Sequence, residues 1–272
     1  MASLQELEAA RAAASEAARL ILEHYQRLPT VEWAPADITT DADRQAQELI
    51  FRLLAERFPG DALLGEERTA WSDQFRHQGD RLWIVDPIDG TRGFVLKNGE
   101  FAILIGLVEQ GQATLGLVLE PVEERLTWAV RGQGCWVEQP GMPPQRCQVS
   151  QQAQLSSAVL VRSRAEQKSG PHPLLPTHRE IYTYSAGRKL ALVARGQADL
   201  YASLFRGFRA WDVCAGQVLV SEAGGVLTDT LGQEIHYHDP SRPIAGLIAA
   251  NAELHRQALT HLRPRMERLL RG

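Results

Sequence analysis

The sequence predicts a two-part fold, an α+β half over residues 1–145 followed by an α/β half over residues 146–272. Three observations carry this. Two stretches of helical periodicity open the chain. A series of short apolar runs follows, separated by turn residues and with no helix between them. Beyond a proline-rich stretch, strand and helix patterns alternate. A chain of 272 residues can bury a substantial core, as one large domain or as two halves of ordinary size.

The first helix is read from "MASLQELEAARAAASEAARLILEHY", where Leu4, Leu7, Ala14, Ala18, Ile21, Leu22 and Tyr25 fall near one face. A loop rich in Asp, Thr and Pro leads to a second helix from about Asp41 to Phe58, ended by Pro59 and Gly60. "ALLGEE" suggests a strand running out at Gly65-Glu66-Glu67. "LWIV", "FAILIGLVEQ", "ATLGLVLEP" and "RLTWAVRG" then read as a meander of antiparallel strands. Residues 138–148, "EQPGMPPQRCQ", hold three prolines and mark the boundary between halves. In the second half, "SAVLVRS", "ADLYAS", "GVLTD" and "GLIAAN" read as strands. "AGRKLALVARG", "DVCAGQVLVSEAGG" and the final "NAELHRQALTHLRPRMERLL" read as helices, the last with Asn251 as its N-cap.

The composition is that of a folded soluble protein, 44% hydrophobic and 23% charged, and a net charge of -4 offers no global attraction for a nucleic-acid polymer. No apolar run reaches the roughly 18 residues of a membrane span. The amino-terminal stretch interleaves Glu and Arg with alanine, unlike a secretory signal or a transit peptide. Cys135, Cys147 and Cys214 lack metal-ligand spacing, which favours a reducing, cytoplasmic setting.

The chemistry lies in the carboxylates. Asp37/Asp41/Asp43, Glu66/Glu67, Asp86/Asp89 and Asp212 all stand where a predicted element starts or ends, the usual place for functional groups on a rigid scaffold. Hard divalent cations take oxygen ligands, and Mg²⁺ binds through a few carboxylates plus substrate phosphate. In "DPIDG", Pro87 fixes its φ and Gly90 permits a tight turn, so that Asp86 and Asp89 can converge with the Ile88 carbonyl facing the same way. Each cluster alone has a plainer reading. "DPIDGT" can be a simple turn, "GEE" a solvated acidic corner, and Asp212 or the Asp37–Asp43 group helix caps.

Taken together and in order, "DITTDAD" (37–43), "GEE" (65–67), "DPIDGT" (86–91) and "WDVCAG" (211–216) resemble the motif set of the inositol monophosphatase superfamily over nearly the whole chain. The resemblance implies a layered α/β/α/β/α sandwich and a Mg²⁺-dependent, lithium-sensitive phosphomonoesterase, with the site between the halves and homodimers common. "NGEFAILIGLVEQGQATLGLVLEPVEERLTWAVRGQGCW" and "KLALVARGQADLY" are most similar to the 3'(2'),5'-bisphosphate nucleotidase branch, which removes the 3'-phosphate of adenosine 3',5'-bisphosphate in sulfur metabolism.

Carried over residue by residue, the resemblance gives two or three Mg²⁺ ions. Glu66, Asp86 and the Ile88 carbonyl would hold one, and Asp86, Asp89 and Asp212 a second. Thr91 and Asp43 would form the dyad that orients the attacking water, with Glu67 assisting from behind. The amides of Gly90 and Thr91 would hold a phosphate oxygen, Ser185 and Gly187 would lie near the leaving group, and Lys189 near a second phosphate. Arg206 or Arg209 would replace an arginine that many bisphosphate nucleotidases carry soon after "ADLY". Arg92 stands where that branch has lysine. The expected substrate is a small phosphomonoester: the nucleotide first, inositol 1-phosphate as the alternative, and a sugar bisphosphate or a non-catalytic role behind both. A haloacid-dehalogenase reading fails because its two aspartates are two apart, not three.

Overall fold

The structure is a computed structural model that describes residue 2 and residues 4–35, 38–75 and 79–271. Asp37, named with the upstream acidic group, lies outside the described residues.

Helix α1 (Leu4–Arg27) buries Leu7, Ala10, Ala13, Ala14, Ala17, Ala18 and Ile21 at helical spacing. The small alanines let it lie close against α2 (Asp41–Arg57). Asp43, in the first turn of α2, accepts from the Thr40 amide at 2.8 Å and from its hydroxyl at 2.5 Å, which closes the helix start.

Strands β1 (Ala62–Gly65), β2 (Arg81–Asp89), β3 (Ala102–Glu109), β4 (Gln112–Glu120), β5 (Arg125–Val130), β6 (Cys135–Glu138) and β7 (Gln145–Cys147) form one sheet in chain order. β1 and β2 are parallel, and every later pair is antiparallel. β2 runs further than "LWIV" suggests and passes through Pro87. A proline has no N–H for the ladder, and the register against β3 shifts between Asp86 and Asp89. That irregularity re-aims two carboxylates at the end of a rigid strand.

The proline-rich 138–148 stretch is not a bare linker. Its prolines sit in the turn between β6 and β7, and β7 is an edge strand where the loss of a donor is tolerated. The first sheet therefore continues to Cys147.

The second sheet holds β8 (Val159–Ser163), β9 (Arg179–Thr183), β10 (Leu200–Ser203), β11 (Val226–Thr228) and β12 (Leu247–Ala250), in the order β11-β12-β10-β8-β9. β9 carries no clear apolar alternation and is the strand of this second sheet that the sequence reading passes over. Helices α3 (Thr91–Val95), α4 (Ala186–Ala194), α5 (Ala210–Glu222) and α6 (Ala252–Arg271) complete the chain. Asn251 caps α6, accepting from the Leu254 amide at 3.0 Å.

Alternation along the strands sorts the layers. Trp83, Val85, Ile103, Ile105 and Leu117 face α1 and α2 in one core. Leu82, Ile84, Leu104 and Val118 face the other way, against α4, α5 and one side of the second sheet. Leu160, Leu200, Ile248 and Ala250 then pack on Leu254, Ala258 and Leu262 of α6. The result is an α/β/α/β/α sandwich, each buried Leu or Ile contributing about 1.5–3 kcal/mol relative to exposure. The middle core spans both halves, so the ends of β2, α4 and α5 meet at one cleft. Among the described residues no helix is long and apolar enough to cross a membrane.

Candidate functional site

Three chain ends bring the carboxylates together. Asp86 and Asp89 come from the irregular end of β2, Asp212 from the first turn of α5, and Glu66 from the corner after β1. One oxygen each of Asp86, Asp89 and Asp212 lies within 4.8 Å of the others, the one such trio of metal-ligating side chains among the described residues. All four carboxylates line a cavity of about 500 Å³.

Their electrostatics call for a counter-charge. Burial, then the charges of Glu66, Asp89 and Asp212, pushes the Asp86 carboxyl well above the usual carboxylate range. Burial and the neighbouring Asp89 raise Asp212 to about 7. Glu66 opens onto the cleft as an exposed residue, yet withdrawal of its carboxyl from bulk water, then the charge of Asp212, raises it too. Burial also raises Asp89, although four groups oppose the shift: the Ser185 hydroxyl, the Lys189 charge and the Gly187 and Ala186 amides. Four acids this close cannot all ionise without a counter-charge. The all-oxygen donor set fits a hard divalent cation such as Mg²⁺.

Lys189 does not supply that charge as a partner. Its Nζ donates to the carbonyls of Tyr184 at 2.9 Å and Thr183 at 3.3 Å and lies 5.6 Å from the Tyr201 ring centre. Burial lowers it to about 8, against the pull of Asp89.

Thr91 opens α3, and its hydroxyl lies 3.0 Å from Asp43 Oδ1 and 3.0 Å from the Ile88 carbonyl. Asp43 is fully buried, which raises its carboxyl despite the Thr40 and Thr91 hydrogen bonds that lower it. Gly90 sits at φ +92°, where an added Cβ would be 2.7 Å from the Glu100 carbonyl, so only glycine fits.

Some expected contacts fall elsewhere. Ser185 is fully buried and outside the cavity wall. Its hydroxyl donates to Asp89 Oδ2 at 2.5 Å, and the amides of Ala186 and Gly187 donate to the same carboxylate at 3.1 and 2.6 Å. Asp89 thus caps α4 from another element, with Ser185 and Gly187 behind it and Ala186 on the cavity wall. Glu67 lies behind the wall, the side from which the sequence reading has it assist, and accepts from Thr39 Oγ1 at 3.1 Å. Arg206 and Arg209 leave the cleft altogether, donating to the carbonyls of Leu269 at 2.7 Å and Ser241 at 3.0 Å. Arg206 lines a separate cavity of about 600 Å³ beside His236 and His238, where the described residues form no converging acidic trio.

Arg92 and Lys189 are the two cations that line the cleft among the described residues, and Arg92 is the one on its outer wall. Its guanidinium lies 5.5 Å from the ring centre of Tyr184, and its buried Nε has no hydrogen-bond partner among the described residues. Tyr184, Phe205 and Glu166 complete the outer wall. The sequence carries no signal for these three, since Tyr184 and Phe205 lie in irregular segments and Glu166 in a short 3-10 helix, Arg164–Ser169.

A family model described as the inositol monophosphatase family matches residues 3–267. An inositol-1-monophosphatase of Bacillus subtilis is 32% identical over 215 residues, covering 78% of this chain and 80% of the relative. A histidinol-phosphatase of Mycobacterium tuberculosis is 36% identical over 230 residues, covering 82% and 84%. Among solved structures, an inositol monophosphatase of Thermotoga maritima superposes with a TM-score of 0.79 at 27% identity over 97% of this chain and 98% of that one.

Proposed function

The chain belongs to the inositol monophosphatase family and is a Mg²⁺-dependent phosphatase, and from that premise we propose that it removes the 3'-phosphate of adenosine 3',5'-bisphosphate. The observation that carries the substrate choice is Arg92, a guanidinium on the cleft wall with no carboxylate partner among the described residues and an aromatic ring beside it. A second phosphate on the substrate supplies the missing anion. Tyr184 and the exposed Phe205 offer faces on which a base can stack.

In this reading Glu66, Asp86, the Ile88 carbonyl, Asp89 and Asp212 hold the metal. When bound, Mg²⁺ supplies charge neutralisation for the phosphoryl group and a lowered pKa for coordinated water. The chain's own part is orientation. The Thr91 hydroxyl has one proton and, when it donates to Asp43, leaves its lone pairs free to accept from a water. The Thr40 amide and hydroxyl hold the other Asp43 oxygen, so the dyad cannot swing. The Gly90 and Thr91 amides at the start of α3 would hold a phosphate oxygen.

A second reading is an aminoalcohol phosphate such as histidinol phosphate. It is favoured by the Glu166 carboxylate on the same wall, able to meet a cationic leaving group, and by the 36% identical histidinol-phosphatase. Inositol 1-phosphate stands third, through the Bacillus subtilis relative. Relative kcat/KM of the purified protein on these three compounds tests the choice. The bisphosphate should lead by about 10-fold or more, the worth of one charge-assisted hydrogen bond. A lead for histidinol phosphate or inositol 1-phosphate overturns the nucleotide assignment.

A further inference from the structure

We propose that Gln47, a fully buried residue of α2, is a positioning residue that fixes the Glu66–Glu67 corner for metal binding. The proposal rests on the ligand role given to Glu66 above.

The geometry is two-sided. The Glu67 amide donates to Gln47 Oε1 at 2.8 Å, and Gln47 Nε2 donates to the Glu67 carbonyl at 2.5 Å. One side-chain amide therefore satisfies both backbone groups of the residue next to Glu66. The corner also needs the space: a Cβ on Gly65 would lie 2.0 Å from Gln47 Oε1. On its other side the corner is tied by the Glu66 amide to the Val85 carbonyl at 3.2 Å, one residue before Asp86.

A buried amide is costly unless its polar atoms are bonded, and an apolar residue would fill the same volume without that requirement. Gln47 also lies one helical turn after Asp43, on the same buried face of α2. The helix thus spaces two parts of the site at once. Asp43 sets the Thr91 hydroxyl, and Gln47 sets the corner that carries Glu66. Outer groups that orient a ligand typically change metal affinity 10- to 100-fold when removed.

The test is Mg²⁺ binding by calorimetry to the full-length protein, together with the Mg²⁺ concentration giving half-maximal activity. Gln47→Met keeps volume and loses both hydrogen bonds, and should raise both quantities about 10-fold or more. Its rate at saturating Mg²⁺ should stay within a few fold of the parent. Gln47→Glu keeps the acceptor but not the donor, should show the same shift in smaller measure, and serves if the methionine variant does not fold. Leu54→Ala, a core change on the same helix, should lower Tm without moving Mg²⁺ affinity.

Unchanged Mg²⁺ affinity in a folded Gln47 variant overturns the proposal, as does an equal shift in Leu54→Ala. Glu66→Gln separates the two claims. If it weakens Mg²⁺ binding and the Gln47 variants do not, the positioning role fails. If Glu66→Gln itself binds Mg²⁺ normally, the ligand assignment fails and the positioning role falls with it.

Discussion

Thr91 Oγ1 stands 3.0 Å from Asp43 Oδ1, although 48 residues separate the two in the chain. One residue opens α3 at the end of β2 and the other lies in the first turn of α2, so their meeting depends on the packing of α2 across the first sheet. That contact sets the first prediction. Thr91→Val keeps shape and removes the hydroxyl, and should lower kcat by about 10²-fold or more with KM little changed. Thr91→Ser should recover most of the loss. Steady-state kinetics at saturating Mg²⁺ decide it, and equal activity of Thr91→Val removes the dyad from the account.

Asp89 does two jobs that one substitution separates. Asp89→Asn should abolish Mg²⁺-dependent turnover. It also turns an acceptor toward the donors of Ser185, Ala186 and Gly187 into an NH₂ group. The loss to the α4 cap should be about 1 kcal/mol, read as a lower Tm with an unchanged far-ultraviolet circular dichroism spectrum.

Arg92→Ala should discriminate between substrates. Turnover of adenosine 3',5'-bisphosphate should fall about 10- to 100-fold in kcat/KM, the range for a hydrogen bond to a charged group. Inositol 1-phosphate, with an uncharged leaving group, should change little. Equal losses on both compounds would make Arg92 a structural residue.

The acid cluster makes stability depend on pH in a stated direction. Burial raises Asp86, Asp89 and Asp212 in the folded state, Asp212 to about 7. Between the unfolded carboxylate range near 4 and that value, the folded state binds more protons than the unfolded one. Metal-free protein should therefore lose stability as pH rises from about 4 toward 7. Added Mg²⁺ should restore it, and the gain in Tm should grow over the same window. Thermal melts with and without a chelator check both signs, and a Mg²⁺ gain that does not grow with pH contradicts the cluster as its site.

Much of this was legible because it is local. Apolar periodicity marks α1, α2 and the meander, and turn residues mark where Asp86, Asp89 and Glu66 leave their elements. The motif order identifies the carboxylates that meet. What the sequence hides is set by long-range packing. β7 is lost among prolines that belong to the hairpin turn before it. Ser185 looks like a substrate contact until the fold turns it onto Asp89, 96 residues away. Arg206 and Arg209 sit near the right place in the chain, but their backbone segment directs them to Leu269 and Ser241. Gln47 is silent as one polar residue on an amphipathic helix, and only its burial against Glu67 marks it.

The central claim is that Glu66, Asp86, Asp89 and Asp212 share divalent cations, and anomalous diffraction from crystals of this protein soaked in Mn²⁺ tests it most directly. Anomalous peaks should appear in the cleft about 2.0–2.3 Å from oxygens of these four residues, at hard-cation ligand distances. No peak there, or peaks confined to the His236 and His238 cavity, would contradict it.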